Sequence, residues 1–503
     1  MKRQVLRRAT AYIESWLRYR FDRTNLTGLV VAIAHEGELH FRRSYGYANL
    51  ERKEPMTVDH IFRIASHSKT FAATAVMQLA EKGSLDIDQP IVKYLPWLKE
   101  HKDPRMQLVT PRQLLSHNAG FLRDGSDPNF WELSFPFPDA DLFKRDLMKS
   151  ELVFDNNTRM KYSNFGYTLV GLLIEEVSGM SFHEYCARHI LKPLGLEDTG
   201  PEFTPEILPR LVTGYSRPDA QKDRLPIDKN INTGAMASAT GFYSTAIEMC
   251  EYFNNQFVGS HTLLSDESKA EMQHMQVEVP HARNGEKYGL GYQIDYTDFR
   301  RLFGHGGGFP GQRTRTLCHE EDKIVVVVLA NCVDAEPVAI AKGIFSVIDH
   351  FKTSDKNSDP KTIDHLRKFQ GRYSHLWGDL DIVEHGTKLI GVDPNSWFPL
   401  DADQDYQELD LFDVTKGNGT VMAESYSPGT TDGGNGRARP DLGNVFKITR
   451  AFGYYSEGEL VKFHFGAGGR VSSVNYAGYY YLPESDYDNA IASKKAKGVG
   501  IML

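Results

Sequence analysis

The sequence predicts an α+β fold: one antiparallel sheet with flanking helices, a mainly helical region beside it, and a small all-β, barrel-like domain at the C-terminal end. Three observations predict it. Short apolar runs rich in β-branched residues, separated by tight turns, lie near the start and again across residues 313–331. Helix-capping signals crowd the stretch from about 84 to 200. Beyond a polar, proline-containing segment the pattern becomes an alternation of apolar and polar residues.

Taken in order, Val5, Leu6, Ala9, Tyr12, Ile13, Trp16 and Leu17 recur at helical spacing and predict an amphipathic first helix. Residues 28–34 are a β-branched run, Glu36-Gly37-Glu38 is a turn, and 39–45 resume as a strand, so this is a hairpin. Residues 71–81 read as helix, closed by Lys82-Gly83. Thr110-Pro111-Arg112-Gln113 is a capping box with proline at the first helical position, and Ser181 with Glu184 is a second box. Around Glu320-Glu321-Asp322 two more strands pair, and 337–351 form a closing helix. Residues 353–361 are polar and contain Pro360, which predicts a linker. After it, 379–383, 389–392, 445–448, 460–465 and 471–481 read as strands, and 429–436 as a glycine-rich loop. The division is therefore 1–352, a linker at 353–361, and a β domain at 362–503.

Composition narrows the function classes. The 503 residues are 41% hydrophobic and 25% charged, with a formal net charge of -8, which argues against a nucleic-acid footprint. Cys186, Cys250, Cys318 and Cys332 are scattered without a CxxC pair, so neither a disulfide framework nor a zinc site is expected. No stretch reaches the roughly 20 apolar residues that span a bilayer. The basic N-terminus leads into an amphipathic pattern rather than a signal core, so a cytoplasmic protein is expected.

Three motifs carry chemistry. Ser66-His67-Ser68-Lys69 stands at the start of a helix, and residues three apart share a helix face, so the Ser66 hydroxyl and the Lys69 amine can meet. A serine hydroxyl needs a base, and a lysine serves when partial burial lowers its pKa. Ser68 is the competing nucleophile, but it adjoins Lys69 and faces elsewhere. Tyr162-Ser163-Asn164 supplies a phenol able to relay a proton and a carboxamide able to both donate and accept. Gly304-His305-Gly306-Gly307-Gly308 lets backbone approach a substrate and offers N–H groups to an oxyanion.

In this order the three motifs resemble the β-lactamase-like serine hydrolases, a superfamily that includes class C β-lactamases, DD-peptidases, D-aminopeptidases and carboxylesterases. The resemblance covers residues 5–350 and includes Leu114-Leu115-Ser116-His117-Asn118-Ala119-Gly120, Pro193-Leu194-Gly195-Leu196 and Tyr288-Gly289-Leu290-Gly291-Tyr292. It implies a β-lactamase/transpeptidase-like fold with Ser66 acylated, Lys69 and Tyr162 sharing the base and relay work, and Asn164, His305, Gly306, Gly307 and Gly308 binding substrate. The backbone N–H groups of Ser66 and Gly308 would form the oxyanion hole. D-aminopeptidases and some peptidases of the superfamily carry barrel or lipocalin-like C-terminal domains, which the β domain here resembles.

One departure matters. Penicillin-recognising members carry Lys-Thr/Ser-Gly at the third motif, and the lysine helps hold a substrate carboxylate. Here His305-Gly306-Gly307 stands instead, and histidine is only partly charged near neutral pH. The expected activity is hydrolysis of a small amide, peptide or ester, with D-amino-acid peptides and amides favoured. A carboxylesterase with weak β-lactamase activity and a catalytically silent binding or scaffold homologue are the alternatives. No cofactor or metal is expected. The partners are a small-molecule or peptide substrate and, through the β domain as a packing or oligomerisation module, a second copy of the chain; nucleic acid and membrane are not. Phe130, Trp131, Phe135 and Phe137 wall an apolar acyl pocket or simply pack a core. His117 reads as structural.

Overall fold

The computed structural model describes residues 1–227, 229–282, 285–297, 300–356, 360–400, 407–411, 444–450 and 457–497. The chain divides into two compact units, Thr10–Phe345 with Met1, and Ser346–Leu503 with Lys2–Ala9.

The first unit is built on an antiparallel sheet of nine strands among the described residues. They are β1 (Gly28–His35), β2 (Glu38–Asn49), β3 (Glu54–Pro55), β4 (Val277–Glu278), β5 (Lys287–Tyr288), β6 (Gln293–Thr297), β7 (Arg300–Phe309), β8 (Gln312–His319) and β9 (Ile324–Ala330). Their spatial order is β3-β2-β1-β9-β8-β7-β6-β5-β4. The sheet closes the chain on itself, since β1 from the start pairs with β9 from the end, Val31 opposite Val328. Both are buried along their whole length, which explains their near-continuous apolar sequence.

Successive side chains of these strands point to opposite faces. Val30, Ala32, Ala34, Val325, Val327 and Leu329 join the main core, which also holds Phe71, Val76, Leu169 and Leu173. These last four belong to helices α2 (Ser68–Glu81) and α4 (Asn164–Ser178); between them lies α3 (Pro111–Leu115), opened by the capping box at Thr110. The first helix, α1 (Arg3–Arg23), meets β2 through Phe21, whose ring stacks on Tyr45 at 5.7 Å, and through Glu14 with Arg43. The helix α5 (Pro337–Lys356) places Phe345 under Arg300 and Lys342 2.9 Å from Asp295.

The second unit holds a closed barrel of eight strands among the described residues: β10 (Gly371–His375), β11 (Gly378–His385), β12 (Lys388–Val392), β13 (Gln407–Leu411), β14 (Val445–Arg450), β15 (Leu460–Phe465), β16 (Val471–Tyr476) and β17 (Tyr479–Pro483). Closure is made by Ser374 opposite Leu482. Phe369, Leu389, Leu409, Phe446, Ile448, Val461 and Phe463 fill the interior.

The structure corrects three sequence expectations. The segment 353–361 is not a simple linker: Thr353 to Lys356 complete α5, and Pro360 and Lys361 open the helix Pro360–Arg367; 357–359 lie outside the described residues. Residues 471–481 are two strands, broken by Ala477 and Gly478, both with positive φ (47° and 84°), as a two-residue hairpin turn requires. The C-terminal part also ends in a helix, Glu484–Ala496. The glycine-rich loop at 429–436 lies outside the described residues. No helix among the described residues is long and apolar enough to cross a membrane.

Candidate active site

Ser66 sits in the short 3-10 turn Ala65–His67 that feeds directly into α2. The turn is entered through a non-glycine residue at positive φ, Ala65 at 47°, a sparsely populated conformation that costs about 1 kcal/mol or more. What holds it is His67, fully buried, which donates from Nδ1 to the Ile64 carbonyl at 3.0 Å and accepts at Nε2 from Thr316 at 3.0 Å. Desolvation pushes its pKa down to about 3, so this imidazole is neutral. Ser68 is also committed to structure. Its hydroxyl donates to Ala65 O at 2.6 Å and accepts the Phe242 N–H at 3.0 Å, and it is buried. Ser66, in contrast, is partly exposed.

Lys69 lies one turn further and is wholly buried. Its Nζ is 3.0 Å from Ser66 Oγ, 2.7 Å from Asn164 Oδ1 and 2.8 Å from the Ala239 carbonyl. Burial drives its pKa well down, against the pull of the Asp124 carboxylate. A neutral amine has two hydrogens and one lone pair. Asn164 Oδ1 and Ala239 O can only accept, so they take both hydrogens. The lone pair is left for Ser66, which alone of the three has a proton to give. Tyr162 closes the group from the other side: its hydroxyl is hydrogen-bonded to Ser66, and its ring lies 4.9 Å from Lys69 Nζ. Burial pushes the phenol above its ordinary pKa, so it keeps its proton near neutral pH.

Asn164 opens α4, with Ser163 as its N-cap: the Ser163 hydroxyl accepts the Gly166 N–H at 2.7 Å. The Asn164 carboxamide turns its oxygen to Lys69 and its Nδ2 to Asp124 Oδ1, 2.7 Å away. Asp124 has no motif to announce it, and Ala239 acts through a backbone carbonyl, which residue type does not reveal. Neither was foreseen.

The third motif is strand β7. A Cβ on Gly307 would stand 2.2 Å from the Ile64 carbonyl and 2.3 Å from Thr314 Oγ1, so only glycine lets β7 press against the turn that carries Ser66. Along a strand, alternate residues direct their N–H and C=O groups to the same edge. The Gly306 N–H donates to Gln293 Oε1 at 3.0 Å, on the β6 side. Gly308, two residues on, therefore directs its N–H to that same edge, beyond the point where β6 begins at Gln293. Gln293 is itself held by Arg315, which also pairs with Asp295.

His305 departs from expectation. It is 1% exposed, its Nδ1 donates to the Gly306 carbonyl at 2.6 Å, and its Nε2 accepts from Tyr288 at 2.9 Å. Burial pushes its pKa well down. It braces the strand and presents neither charge nor a spare ring nitrogen to a substrate.

The supporting signatures are braces too. His117, at positive φ (59°), accepts the Ser163 N–H at Nδ1 (3.1 Å) and stacks on Tyr162 at 4.2 Å. Gly291, at φ 80°, passes so close to α2 that a Cβ would lie 2.6 Å from Ala73. Of the loop aromatics, Phe130 and Phe137 are buried in one cluster with Ala65, Leu133, Met236 and Phe309, and half-buried Trp131 packs on it. Phe135 is exposed and outside it. That cluster adjoins both ends of the site, through the residue before Ser66 and the residue after Gly308.

The sequence pattern of the beta-lactamase family matches residues 13–345. The chain belongs to the beta-lactamase family. It is a serine hydrolase of that family. Among its relatives, penicillin-binding protein 4* of Bacillus subtilis (strain 168) is 27% identical over 323 residues, 62% of this chain and 69% of that protein. The solved D-amino acid amidase from Ochrobactrum anthropi SV3, complexed with D-phenylalanine, is 25% identical with a TM-score of 0.55, over 69% of this chain and 99% of that one. The octameric penicillin-binding protein homologue from Pyrococcus abyssi shares the fold over 94% of this chain and 99% of its own, with a TM-score of 0.60 at 22% identity.

Proposed function

We propose that this family member hydrolyses small amides, peptides or esters through an acyl-enzyme on Ser66, with D-amino-acid amides and peptides preferred. The observation that carries the mechanism is the 3.0 Å contact between Ser66 Oγ and a buried Lys69 whose Nζ also reaches Asn164 Oδ1 and the Ala239 carbonyl. Lys69 Nζ takes the Ser66 proton as Oγ attacks the substrate carbonyl carbon. The carbonyl oxygen becomes an oxyanion facing the N–H groups of Ser66 and Gly308. As the C–N or C–O bond breaks, Tyr162 gives its proton to the leaving group and is reprotonated from Lys69. Water then gives a proton to Lys69 Nζ as it attacks the acyl carbon, and Lys69 returns that proton to Ser66 Oγ as the carboxylic acid leaves.

Two features support the substrate class. His305 is uncharged and turned into the wall, so the third motif does not supply the cation that holds a carboxylate in penicillin-recognising members. The likeness to a D-amino acid amidase points the same way. The test is intact mass after incubation with activated esters, D- and L-aminoacyl amides and a penicillin, with peptide mapping of each adduct. The expected result is an acyl group on Ser66 that clears fastest from D-aminoacyl amides. Rapid turnover of esters alone would favour the carboxylesterase reading, and an adduct on another residue would refute the assignment of Ser66.

A further inference from the structure

The carboxamide of Asn164 stands between two groups of opposite demand. Its oxygen accepts from Lys69 Nζ at 2.7 Å, and its Nδ2 donates to Asp124 Oδ1 at 2.7 Å. An amide can flip by 180° about its last torsion with little change in shape. A flip here would set NH₂ against the lysine and oxygen against a carboxylate, two repulsions in place of two bonds. Asp124 is well placed to forbid that flip. Its side chain is 10% exposed, and its second oxygen lies 3.2 Å from Arg123 Nε.

We propose that Asp124 is a positioning residue of the acyl-transfer site, its carboxylate locking the Asn164 carboxamide with the oxygen toward Lys69 and one Nδ2 hydrogen left for a substrate carbonyl. This rests on Ser66 being the acylated residue. The same arrangement gives Asp124 a second effect. The charged and titratable groups around Lys69 are Asp124, Arg123, Tyr162, Tyr167, His67, His117 and His305. The three histidines are held neutral by burial, and burial holds both tyrosines protonated. That leaves Asp124 as the anion of the set and Arg123, exposed at its far end, as the cation. Asp124 therefore opposes the desolvation that strips Lys69 of its proton.

Two substitutions separate the effects. Asp124→Asn keeps an acceptor for Asn164 Nδ2 and removes the charge. Asp124→Leu removes both. The readout is the second-order rate of Ser66 labelling by a fluorophosphonate between pH 4 and 9, with thermal stability measured alongside. For D124N the rate should stay within a few fold of wild type at neutral pH, and the limb rising with Lys69 deprotonation should move down by about one pH unit. For D124L, in protein that melts as wild type does, the rate should fall tenfold or more. A profile that D124N leaves unchanged, whether a limb at the same pH or none in either protein, overturns the proposal, as does a folded D124L that labels at the wild-type rate. If D124L is too unstable to assay, D124N alone decides. Failure of the underlying reading looks different: wild-type protein would then carry no label on Ser66 at any pH.

Discussion

Replacing Tyr162 by Phe separates the two proton-handling roles, because the proposed mechanism assigns them to different moments of the reaction. Burial pushes the Lys69 pKa well down and its Nζ lies 3.0 Å from Ser66 Oγ, so in that mechanism it takes the proton when the nucleophile attacks. Tyr162 keeps its proton and hydrogen-bonds Ser66, so in that mechanism it acts when the leaving group departs. An amine leaving group must be protonated as it goes; p-nitrophenolate leaves as an anion and needs no donor. A general acid or base contributes roughly 10²–10⁴ in rate, or about 3–5 kcal/mol. For Y162F we expect a loss of several hundredfold or more in kcat/KM on an aminoacyl amide and of less than tenfold on a p-nitrophenyl ester. The assay is steady-state hydrolysis of an amide and an ester sharing one acyl group. Equal large losses on both substrates would make Tyr162 the base that activates Ser66. A loss below tenfold on the amide would mean that Lys69 works alone.

Further outcomes follow from the turn that carries the nucleophile. Ser68→Ala should leave Ser66 labelling nearly unchanged while lowering stability by about 1–3 kcal/mol, since it orphans the buried Phe242 N–H; folded but inactive S68A would make Ser68 the nucleophile. His67 is neutral in the native state, with its pKa depressed to about 3, whereas the unfolded chain protonates it below about 6.5. Its contribution to stability is therefore complete above about 6.5 and drains as pH falls toward the folded value. Between pH 7.5 and 5 this amounts to about 2 kcal/mol. Denaturant unfolding at those two pH values should show that much less acid loss in His67→Gln than in wild type, and an equal loss would refute the neutral buried imidazole.

Much of this was legible before any coordinates. Ser66 and Lys69 are three apart on one helix, and that spacing alone brings their side chains together. The hairpin at the start, the valine-rich β9 and the barrel strands follow from period-two patterning and β-branched content. What escaped is what lacks a local signal. Asp124 is one acidic residue in a loop, and only the fold sets it beside Asn164, forty positions away. His305 reads as a partly charged substrate-binding residue from the motif it stands in, yet tertiary packing buries it against Tyr288. The terminal helix at Glu484–Ala496 did carry signals, with Glu484 and Asp486 in its first turn and Lys494 and Lys495 in its last, which suit the helix dipole. The aromatic β texture before it, through Tyr479, Tyr480 and Tyr481, obscured them.

The way Gln293 and His305 seal the backbone of Gly306 has a consequence for how this protein survives its own chemistry. An oxyanion donor must be a peptide N–H with no partner in the resting fold, and a row of such groups along a strand is a template on which any extended chain can polymerise. Here the Gln293 carboxamide covers the N–H and the His305 imidazole covers the C=O of Gly306, two residues before the working position. The adhesive stretch of β7 is thereby shortened at one end to start at Gly308, long enough to grip one carbonyl of a small substrate and too short to recruit a strand.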